Sequence, residues 1–176
     1  NGILFNHESP IRGETFVTKK IILGIANIET GKQECIYLGN LDSKRDWGHA
    51  KDFVEGMWRI VQNDKADDFV LATGRSVTVR KFIELAFKEI NKEIYWEGSG
   101  VDEVGRDTAS NKVLIRIDPN YFRPTEVDIL VGDSSKAKEI LGWEAKINLE
   151  NLIKEMMKIA LHNANEPKQN FKLADF

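Results

Sequence analysis

The chain has 176 residues, of which 41% are hydrophobic and 30% are charged, and its formal net charge is -3. This length suits one domain or part of a larger one, and the composition is ordinary for a soluble globular protein. The acidic balance argues against a non-specific nucleic-acid surface. No apolar run approaches the ~20 residues of a transmembrane helix, so we expect neither a nucleic-acid nor a membrane partner.

Cysteine use and the first residues give two further expectations. The only cysteine, Cys35, lies in a predicted strand and cannot form an intrachain disulfide, which indicates a reducing cytoplasm. The chain opens on Asn-Gly-Ile-Leu-Phe-Asn without an initiator Met and reads as the end of a strand. We therefore expect a fragment, or a processed chain, that lacks its N-terminal half.

The first third of the chain predicts a strand, a polar loop and a helix. The strand covers 3–5 and the loop 6–13, with Thr15 as the expected helix cap. Thr30 and Gly31 provide the helix stop. The expected buried stripe of this helix consists of Val17, Ile21, Gly24, Ile25 and Ile28.

A second strand–loop–helix unit follows at 35–62. The loop carries a fixed cation (Arg45), a planar ring (Trp47) and a small residue that allows close backbone approach (Gly48), which suits a phosphorylated, ring-bearing ligand. The alternative is that Arg45 pairs with Asp46 or Asp42 on the surface. The apolar stripe of the helix is predicted to contain Ala50, Phe53, Val54, Met57, Trp58 and Val61.

The remaining elements alternate in type. They are a strand at 68–72, a helix at 78–90, strands at 93–96 and 113–117, a short helix at 134–141 capped by Asp133 and stopped by Gly142, and a long helix capped by Asn148. The apolar stripe of the long helix is predicted to contain Leu149, Leu152, Ile153, Met156, Met157, Ala160 and Leu161. Residues 98–112 lack periodicity and predict a mobile loop, and a frayed tail is expected beyond Asn163. This alternation predicts an α/β fold with a mostly parallel sheet.

Positive charges recur at the predicted loop–helix junctions. If Arg12, Lys19, Lys20, Arg45 and Arg123 converge, they form a pocket suited to a diphosphate; otherwise they are solvated surface charges. The segment Tyr121-Phe122-Arg123-Pro124-Thr125-Glu126 could flank a base, take a phosphate and bond ribose hydroxyls. Its alternative is a proline turn with core aromatics and a surface ion pair.

Several other kinds of site are not supported. His49 and Asp52 lie three residues apart with no third ligand nearby, so no metal site is expected. The glycines at 98 and 100 do not continue into a dinucleotide fingerprint. No tyrosine has a lysine four residues later, and no serine nucleophile elbow occurs.

Taken together, the motifs resemble the C-terminal half of the GDP-mannose 4,6-dehydratase family, which are extended short-chain dehydrogenases/reductases. Asn-His-Glu-Ser-Pro (6–10) and Tyr-Phe-Arg-Pro-x-Glu-Val (121–127) are the most specific matches, whereas Arg-Asp-Trp (45–47) is shared by many nucleotide-sugar enzymes. Ile11, where the family usually has a second Arg, and Lys19, where Arg is common, depart from the pattern.

The resemblance implies a C-terminal part of an extended Rossmann-type fold, with late parallel strands and a small substrate-binding α/β subdomain. Residues 1–163 would hold both, interleaved, and 164–176 would be a tail. It also implies NADP-dependent conversion of GDP-mannose to GDP-4-keto-6-deoxymannose, by oxidation at C4, loss of water across C5–C6 and hydride return to C6. The family's dimers or tetramers imply a homo-oligomer.

Site roles follow from the same resemblance. His7 and Arg12 resemble NADP contacts, and the residues that resemble GDP-sugar contacts are Asn6, Lys20, Arg45, Arg123 and Glu126. The family's catalytic residues would precede Asn1, so this chain is expected to be inactive without an N-terminal partner. Two alternatives stay open: another nucleotide-sugar enzyme of this type (a GDP-sugar reductase or an epimerase), or a non-catalytic GDP-sugar binding module.

Overall fold

A computed structural model describes residues 1–121, 127 and 129–166 of the chain, which form an α/β fold. The described strands are β1 (Gly2–Leu4), β2 (Asn6–Glu8), β3 (Ile36–Leu38), β4 (Lys44–Arg45), β5 (Trp47–His49), β6 (Phe69–Leu71), β7 (Val77–Thr78), β8 (Ile94–Glu97), β9 (Val104–Asp107) and β10 (Val113–Ile117). The described helices are α1 (Val17–Glu29), α2 (Ala50–Gln62), α3 (Val79–Lys88), α4 (Ser135–Leu141) and α5 (Leu149–Asn165).

The larger of two hydrophobic clusters lies where α1, α3 and α5 pack together beside β3 and β10. Apolar side chains at helical spacing close this interface, because one stripe of each helix is removed from water. On α1 and α5 the fully buried members are Ile21, Ile22, Ile25, Leu152, Ile153, Met156 and Met157. The stripes predicted for these two helices are therefore confirmed in the main.

The smaller cluster joins α2 and α4 to the β1–β6 pair. Its buried members are Phe53, Phe69, Leu71, Ala137 and Trp143. The ring of Phe53 meets that of Trp143 edge to face, with 5.7 Å between centroids. This second cluster supports the strand ends at which the candidate site lies.

The described strands pair in four small sheets. Parallel pairs are β1 with β6, β2 with β5, and β3 with β10, whereas β8, β9 and β10 pair antiparallel and so do β4 and β7. The predicted parallel strands are thus present at three pairings, beside an antiparallel part. None of the described helices has the length and apolar character needed to cross a bilayer.

Helix ends agree with most of the predicted caps. Asn148 Oδ1 accepts a bond of 2.8 Å from the Asn151 backbone N–H, and Gly142 ends α4 with φ of 61°. The predictions for Thr15 and Asp133 were wrong, because the N-cap residues of α1 and α4 are Phe16 and Ser134, and neither makes a side-chain cap bond. Asp133 Oδ1 still accepts a bond from the Ser135 backbone N–H at 2.9 Å.

The prediction of a loop over the whole of 98–112 was also wrong, because a strand lies within it. Residues 104–107 form β9, which lies between β8 and β10 in the four-stranded sheet. Gly105 hides the alternation, because a Cβ there would lie 2.9 Å from the ring of Trp96 and 3.1 Å from Ile115. A glycine is needed where neighbouring side chains fill the space, so the strand lacks an apolar signature.

Two predicted loops contain short strands. Asn6, His7 and Glu8 form β2, which pairs in register with Trp47, Gly48 and His49 of β5. The polar character of both stretches concealed these strands from the sequence pattern. Close approach at Gly48 is confirmed, since a Cβ there would lie 2.4 Å from the Phe53 ring.

Candidate functional site

Two parallel strands end at the same edge of the fold. Asn6 follows β1 and Thr73 follows β6, and these strands are hydrogen-bonded neighbours. In open α/β sheets the carboxyl ends of parallel strands are where ligands bind. Asn6 and Thr73 both contact Asp46, and this edge is therefore the candidate site.

Asp46 is the fully buried centre of this edge. Its Oδ1 accepts from the Thr73 backbone N–H (3.0 Å) and hydroxyl (2.6 Å). Its Oδ2 accepts from the backbone N–H groups of Gly74 (3.0 Å) and Gly132 (3.3 Å), while its carbonyl accepts from the Asn6 amide at 3.2 Å. One carboxylate therefore fixes three chain segments against one another.

Arg45 directly precedes this carboxylate and extends along the same edge. Its Nη1 donates to the carbonyls of Lys44 (2.9 Å) and Val127 (2.7 Å). The Asp46 carboxylate is engaged by Thr73 and the backbone, and Asp42 pairs with Arg80 at 2.9 Å. The described contacts therefore give Arg45 backbone anchors rather than the acidic surface partners that the alternative named.

The two adjacent lysines of α1 have different environments. Lys20 Nζ lies 3.8 Å from the centre of the Tyr121 ring, and burial lowers the pKa of this lysine against the opposing effect of Asp118. Lys19 instead donates to the carbonyl of Pro10 at 2.5 Å and is buried, which lowers its pKa. Lys19 therefore supports the loop before α1, and the predicted convergence does not extend to it.

His7 and Arg12, the residues proposed for a cofactor, flank a buried glutamate. His7 stacks on Phe53 with 5.2 Å between ring centroids, and its Nδ1 lies 2.9 Å from the Phe5 carbonyl. Arg12 Nε lies 3.2 Å from Glu8 Oε2 as an ion pair without hydrogen-bond geometry, and its guanidinium stacks on Phe16 at 3.5 Å. Each side chain is thus held in a fixed orientation.

Burial raises the pKa of Glu8 above its usual 4.5, although the Thr18 hydroxyl and Arg12 oppose the shift. The folded chain therefore binds this proton more tightly than the unfolded chain does, so the contribution of Glu8 to stability increases as pH falls toward 4.5. We expect Glu8→Gln to remove that part of the pH dependence in urea titrations at pH 7, 6 and 5. Glu139→Gln, at an exposed position of α4, is the control. Parallel curves for wild type and Glu8→Gln would contradict this expectation.

His49 is buried and has a structural role. Its Nδ1 accepts from the Lys51 backbone N–H at 3.1 Å and thereby caps α2, so its Nε2 carries the proton and donates to Glu155 at 2.8 Å. Asp52 Oδ2 accepts from the backbone N–H groups of Lys146 and Ile147. Both side chains are used within the fold.

Some predicted residues lie outside the described part of the chain. Arg123 and Glu126 are among them, so their proposed roles stay predictions. A cavity of about 270 Å³ opens beside Thr73 and is also lined by Arg75, Lys81 and Lys146. Neither Asn6 nor Arg45 lines it, and we place the candidate site at the strand edge.

Sequence reasoning missed the importance of Asp46, Glu8 and Thr73. Their partners are distant in the chain or on another element, and periodicity carries no information about such contacts. Nothing in the spacing around Asp46, which lies between Arg45 and Trp47, distinguishes it from a surface carboxylate.

Comparison with known proteins identifies the family. Residues 1–156 match the family model described as GDP-mannose 4,6 dehydratase. The chain is 54% identical over 158 residues to a GDP-mannose 4,6-dehydratase of Sinorhizobium fredii, covering 90% of this chain and 45% of the relative. It is 57% identical over 157 residues to GDP-mannose 4,6 dehydratase 2 of Caenorhabditis elegans, covering 89% of this chain and 41% of the relative.

Solved structures with low identity share the fold. The RMD protein of Pseudomonas aeruginosa complexed with NADPH superposes with a TM-score of 0.74 at 18% identity, covering 92% of this chain and 48% of that one. The UDP-glucose 4-epimerase of Thermotoga maritima, with UDP-glucose, gives 0.66 at 22% identity, covering 90% of this chain and 44% of that one. The chain spans less than half the length of these proteins and of the curated relatives it matches. By its sequence, the chain belongs to the GDP-mannose 4,6-dehydratase family.

Proposed function

We propose that this chain is the substrate-binding part of an NADP-dependent GDP-mannose 4,6-dehydratase, a lyase that forms GDP-4-keto-6-deoxymannose. The observation that carries the proposal is the position of Arg45, which precedes the buried Asp46 at the carboxyl edge of β1 and β6. A guanidinium held by backbone carbonyls is oriented before a ligand arrives. It can therefore contact a diphosphate without first ordering its side chain.

The neighbouring residues have complementary roles in this proposal. Asn6 is fixed through its amide nitrogen to the Asp46 carbonyl and lies where a sugar hydroxyl would meet the strand ends. Lys20, held over Tyr121, offers a second cation to the nucleotide. Arg123 and Glu126 complete the proposed GDP-sugar contacts on the strength of the family resemblance.

The residues proposed for NADP fit such a cofactor in charge and orientation. Arg12 lies between Glu8 and Phe16, and the described ion pair of its guanidinium uses Nε. This places a partly exposed cation beside His7 in the loop that follows β2, where a phosphate-bearing group can be met. His7 and Arg12 would hold bound NADP, which would supply hydride transfer to and from the sugar, and the residues of this chain bind and orient.

The same proposal includes the partners and location expected from the sequence. The family resemblance implies that the catalytic residues lie in the length of the relatives that this chain does not span, so the proposed partner that supplies the chemistry is the N-terminal half of the enzyme. A homo-oligomer and a cytoplasmic location belong to the same proposal. We expect no turnover of GDP-mannose by this chain alone.

A thermal unfolding scan tests the proposal directly. We expect GDP-mannose to raise the melting temperature of this chain and UDP-glucose to leave it unchanged, because a ligand stabilises the folded state that binds it. Turnover should appear only when the complementary segment of the Sinorhizobium fredii relative is co-expressed. An equal shift with UDP-glucose, or turnover by this chain alone, would refute the proposal.

Arg45→Ala should weaken binding of GDP-mannose by about 2 kcal/mol, roughly 30-fold in Kd, because one charge-assisted contact is lost. Arg45→Lys should retain part of the affinity, since an ammonium group keeps the charge but not the paired geometry. Isothermal titration calorimetry measures both. Arg116→Ala, an exposed position on β10, removes the same charge as the control, and an equal loss there would exclude a specific role for Arg45.

A further inference from the structure

The cavity beside Thr73 is positively charged. It has a volume of about 270 Å³ and lies between the loop that follows β6 and the segment that leads into α5, and we call it the α5 cavity. Its charged lining residues are Arg75, Lys81, Lys146 and Glu150, which are three cations and one carboxylate. The whole chain has a net charge of -3, so the charge around this cavity is opposite in sign to that of the protein. Such a lining attracts an anion.

The Trp47 side chain gives independent evidence of a ligand. It is only 5% exposed, packs edge to face on Phe82 with 5.2 Å between ring centroids, and lines the α5 cavity. No described residue accepts a hydrogen bond from its indole N–H, although a buried tryptophan usually has such a partner. This nitrogen is not sealed in the interior, so a ligand in the cavity can supply the acceptor.

The cations of the α5 cavity are available to a ligand. No described residue pairs with the exposed guanidinium of Arg75. Lys81 Nζ lies 3.5 Å from Glu84 and Lys146 Nζ lies 3.7 Å from Glu55, and the two lysine side chains are 50% and 64% exposed. Long, exposed ion pairs contribute little free energy, so both lysines can exchange these partners for a ligand.

The start of α5 adds backbone donors to the same cavity. This helix has 17 residues, and the side chain of its cap, Asn148, accepts from the Asn151 N–H. The N–H groups of Leu149 and Glu150 come before the first intrahelical bond, and both residues line the cavity. Free N–H groups and the helix dipole favour an anion at this end. The Glu150 side chain is exposed and can turn toward water.

Size and charge define the class of ligand. Ligand pockets usually enclose about 300–1,000 Å³, so a cavity at the lower end suits a small molecule and not a whole nucleotide sugar. Val77, Leu85 and Leu149 give the cavity apolar walls, which suit an apolar or aromatic body. A phosphate monoester carries a charge of about -1.5 to -2 at pH 7, so it matches three cations better than a singly charged carboxylate does.

We propose that the α5 cavity binds a small phosphate monoester with an apolar or aromatic body. The phosphate group contacts Arg75 and Lys146 and meets the free N–H groups at the start of α5. Trp47 Nε1 donates to one phosphate oxygen and thereby gains its missing acceptor. The body of the ligand packs on Val77 and Leu85.

Thr73 separates this site from the strand edge. It lines the α5 cavity, and its hydroxyl donates to Asp46 at 2.6 Å. Neither Asn6 nor Arg45 lines the cavity. A ligand in the α5 cavity therefore uses none of the residues assigned to GDP-mannose, and the inference does not rest on the proposed function.

Titration of this chain with phenyl phosphate, followed by NMR of the ¹⁵N-labelled indole groups, tests the proposal. The chain has four tryptophans, and the signal that is lost in Trp47→Phe identifies Trp47. We expect phenyl phosphate to shift this signal until the site is saturated. Inorganic phosphate, which lacks an apolar body, and benzoate, which carries a single charge, should each bind at least about fivefold more weakly.

Matched variants locate the bound phosphate. Arg75→Gln and Lys146→Gln should each weaken binding of phenyl phosphate about tenfold, because each removes a charge-assisted contact. Lys158→Gln removes the same charge at an exposed position farther along α5, and affinity should stay within about twofold of wild type. Arg45→Ala should also leave the affinity unchanged. Isothermal titration calorimetry measures all four.

Four results would overturn the proposal. They are a Trp47 signal that millimolar phenyl phosphate does not shift, equal weakening by Lys158→Gln and Arg75→Gln, loss of binding in Arg45→Ala, and equal affinity for benzoate. The third result would place phenyl phosphate in the substrate site, and the fourth would assign the cavity to carboxylates. Failure of the proposed function reads differently, because a chain that binds no GDP-mannose can still bind phenyl phosphate with the expected response to the variants.

Discussion

Asp46→Ala is expected to lower the free energy of unfolding by about 4 kcal/mol, because several buried donors lose their shared acceptor at once. The carboxylate is fully buried and accepts from three backbone N–H groups and one hydroxyl, those of Thr73, Gly74 and Gly132. Alanine leaves these donors without their acceptor in a site with little access to water. Urea titration monitored by circular dichroism measures the change.

Two substitutions calibrate this result. Asp46→Asn keeps the volume and one acceptor oxygen but turns the other oxygen into a donor that faces N–H groups, so an intermediate loss is expected. Asp42→Ala also removes an aspartate, but its pair with Arg80 is largely solvent-exposed, and a loss of about 0.5 kcal/mol is expected. If Asp46→Ala and Asp42→Ala had equal effects, the Asp46 network would contribute nothing special.

The functional consequence of Asp46→Ala follows from chain connectivity. Asn6 bonds the carbonyl of residue 46 and Arg45 immediately precedes it. Loss of the carboxylate releases the Thr73 and Gly132 segments that hold residue 46 in place. Binding of GDP-mannose should therefore weaken even where the variant remains folded, although Asp46 makes no proposed ligand contact.

The sequence predicted elements well where one face of a helix is buried. The α1 and α5 stripes are confirmed because Ile25 and Met156, like their neighbours, face one continuous core. Strand β9 was missed because its central residue, Gly105, fills a position where flanking side chains leave no room. Strand β2 was missed because polar residues form it and pair it with β5.

The stripe predicted on α2 failed for a different reason. Phe53 is buried, but Val54, Met57, Trp58 and Val61 are exposed. Periodicity identifies an apolar face but does not show what covers it, so an exposed apolar face has the same sequence pattern as a core face. The buried flank of α2 instead contains Asp52, which is polar, and Gly56, which has no side chain.

The prediction of site residues was limited in the same way, because sequence patterns do not report contacts between distant residues. Arg45 could be proposed because a guanidinium after a predicted strand suits a phosphorylated ligand, whereas Asn6 was proposed from the family resemblance. The sequence could not distinguish Lys19 from Lys20. Adjacent helical residues differ by 100° in direction, and the hydrogen bond from Lys19 to the Pro10 carbonyl shows which of the two side chains turns inward. Asp46 depends on contacts with residues 27 and 86 positions away.

Trp143→Ala is the second substitution for which a large effect is expected, about 4 kcal/mol in the free energy of unfolding, as for other buried aromatic residues replaced by alanine. The ring is 1% exposed, packs edge to face on Phe53 and donates from Nε1 to the Asp52 carbonyl. It also fits closely against Gly56, where a Cβ would lie 3.0 Å from Nε1. Alanine leaves a cavity between α2 and the segment after α4 that the rigid helix cannot close.

Trp143→Phe should lose only about 1–2 kcal/mol, because most of the apolar volume remains while one hydrogen bond is removed. Trp58→Ala deletes the same side chain from the exposed face of α2 and should change the stability of this chain by less than about 0.5 kcal/mol. Comparable losses for Trp58→Ala and Trp143→Ala would contradict the assignment of their two faces. Since α2 begins directly after β5, loss of the Trp143 contact should also loosen the strand that follows Arg45 and Asp46, and hydrogen exchange at residues 47–49 should rise.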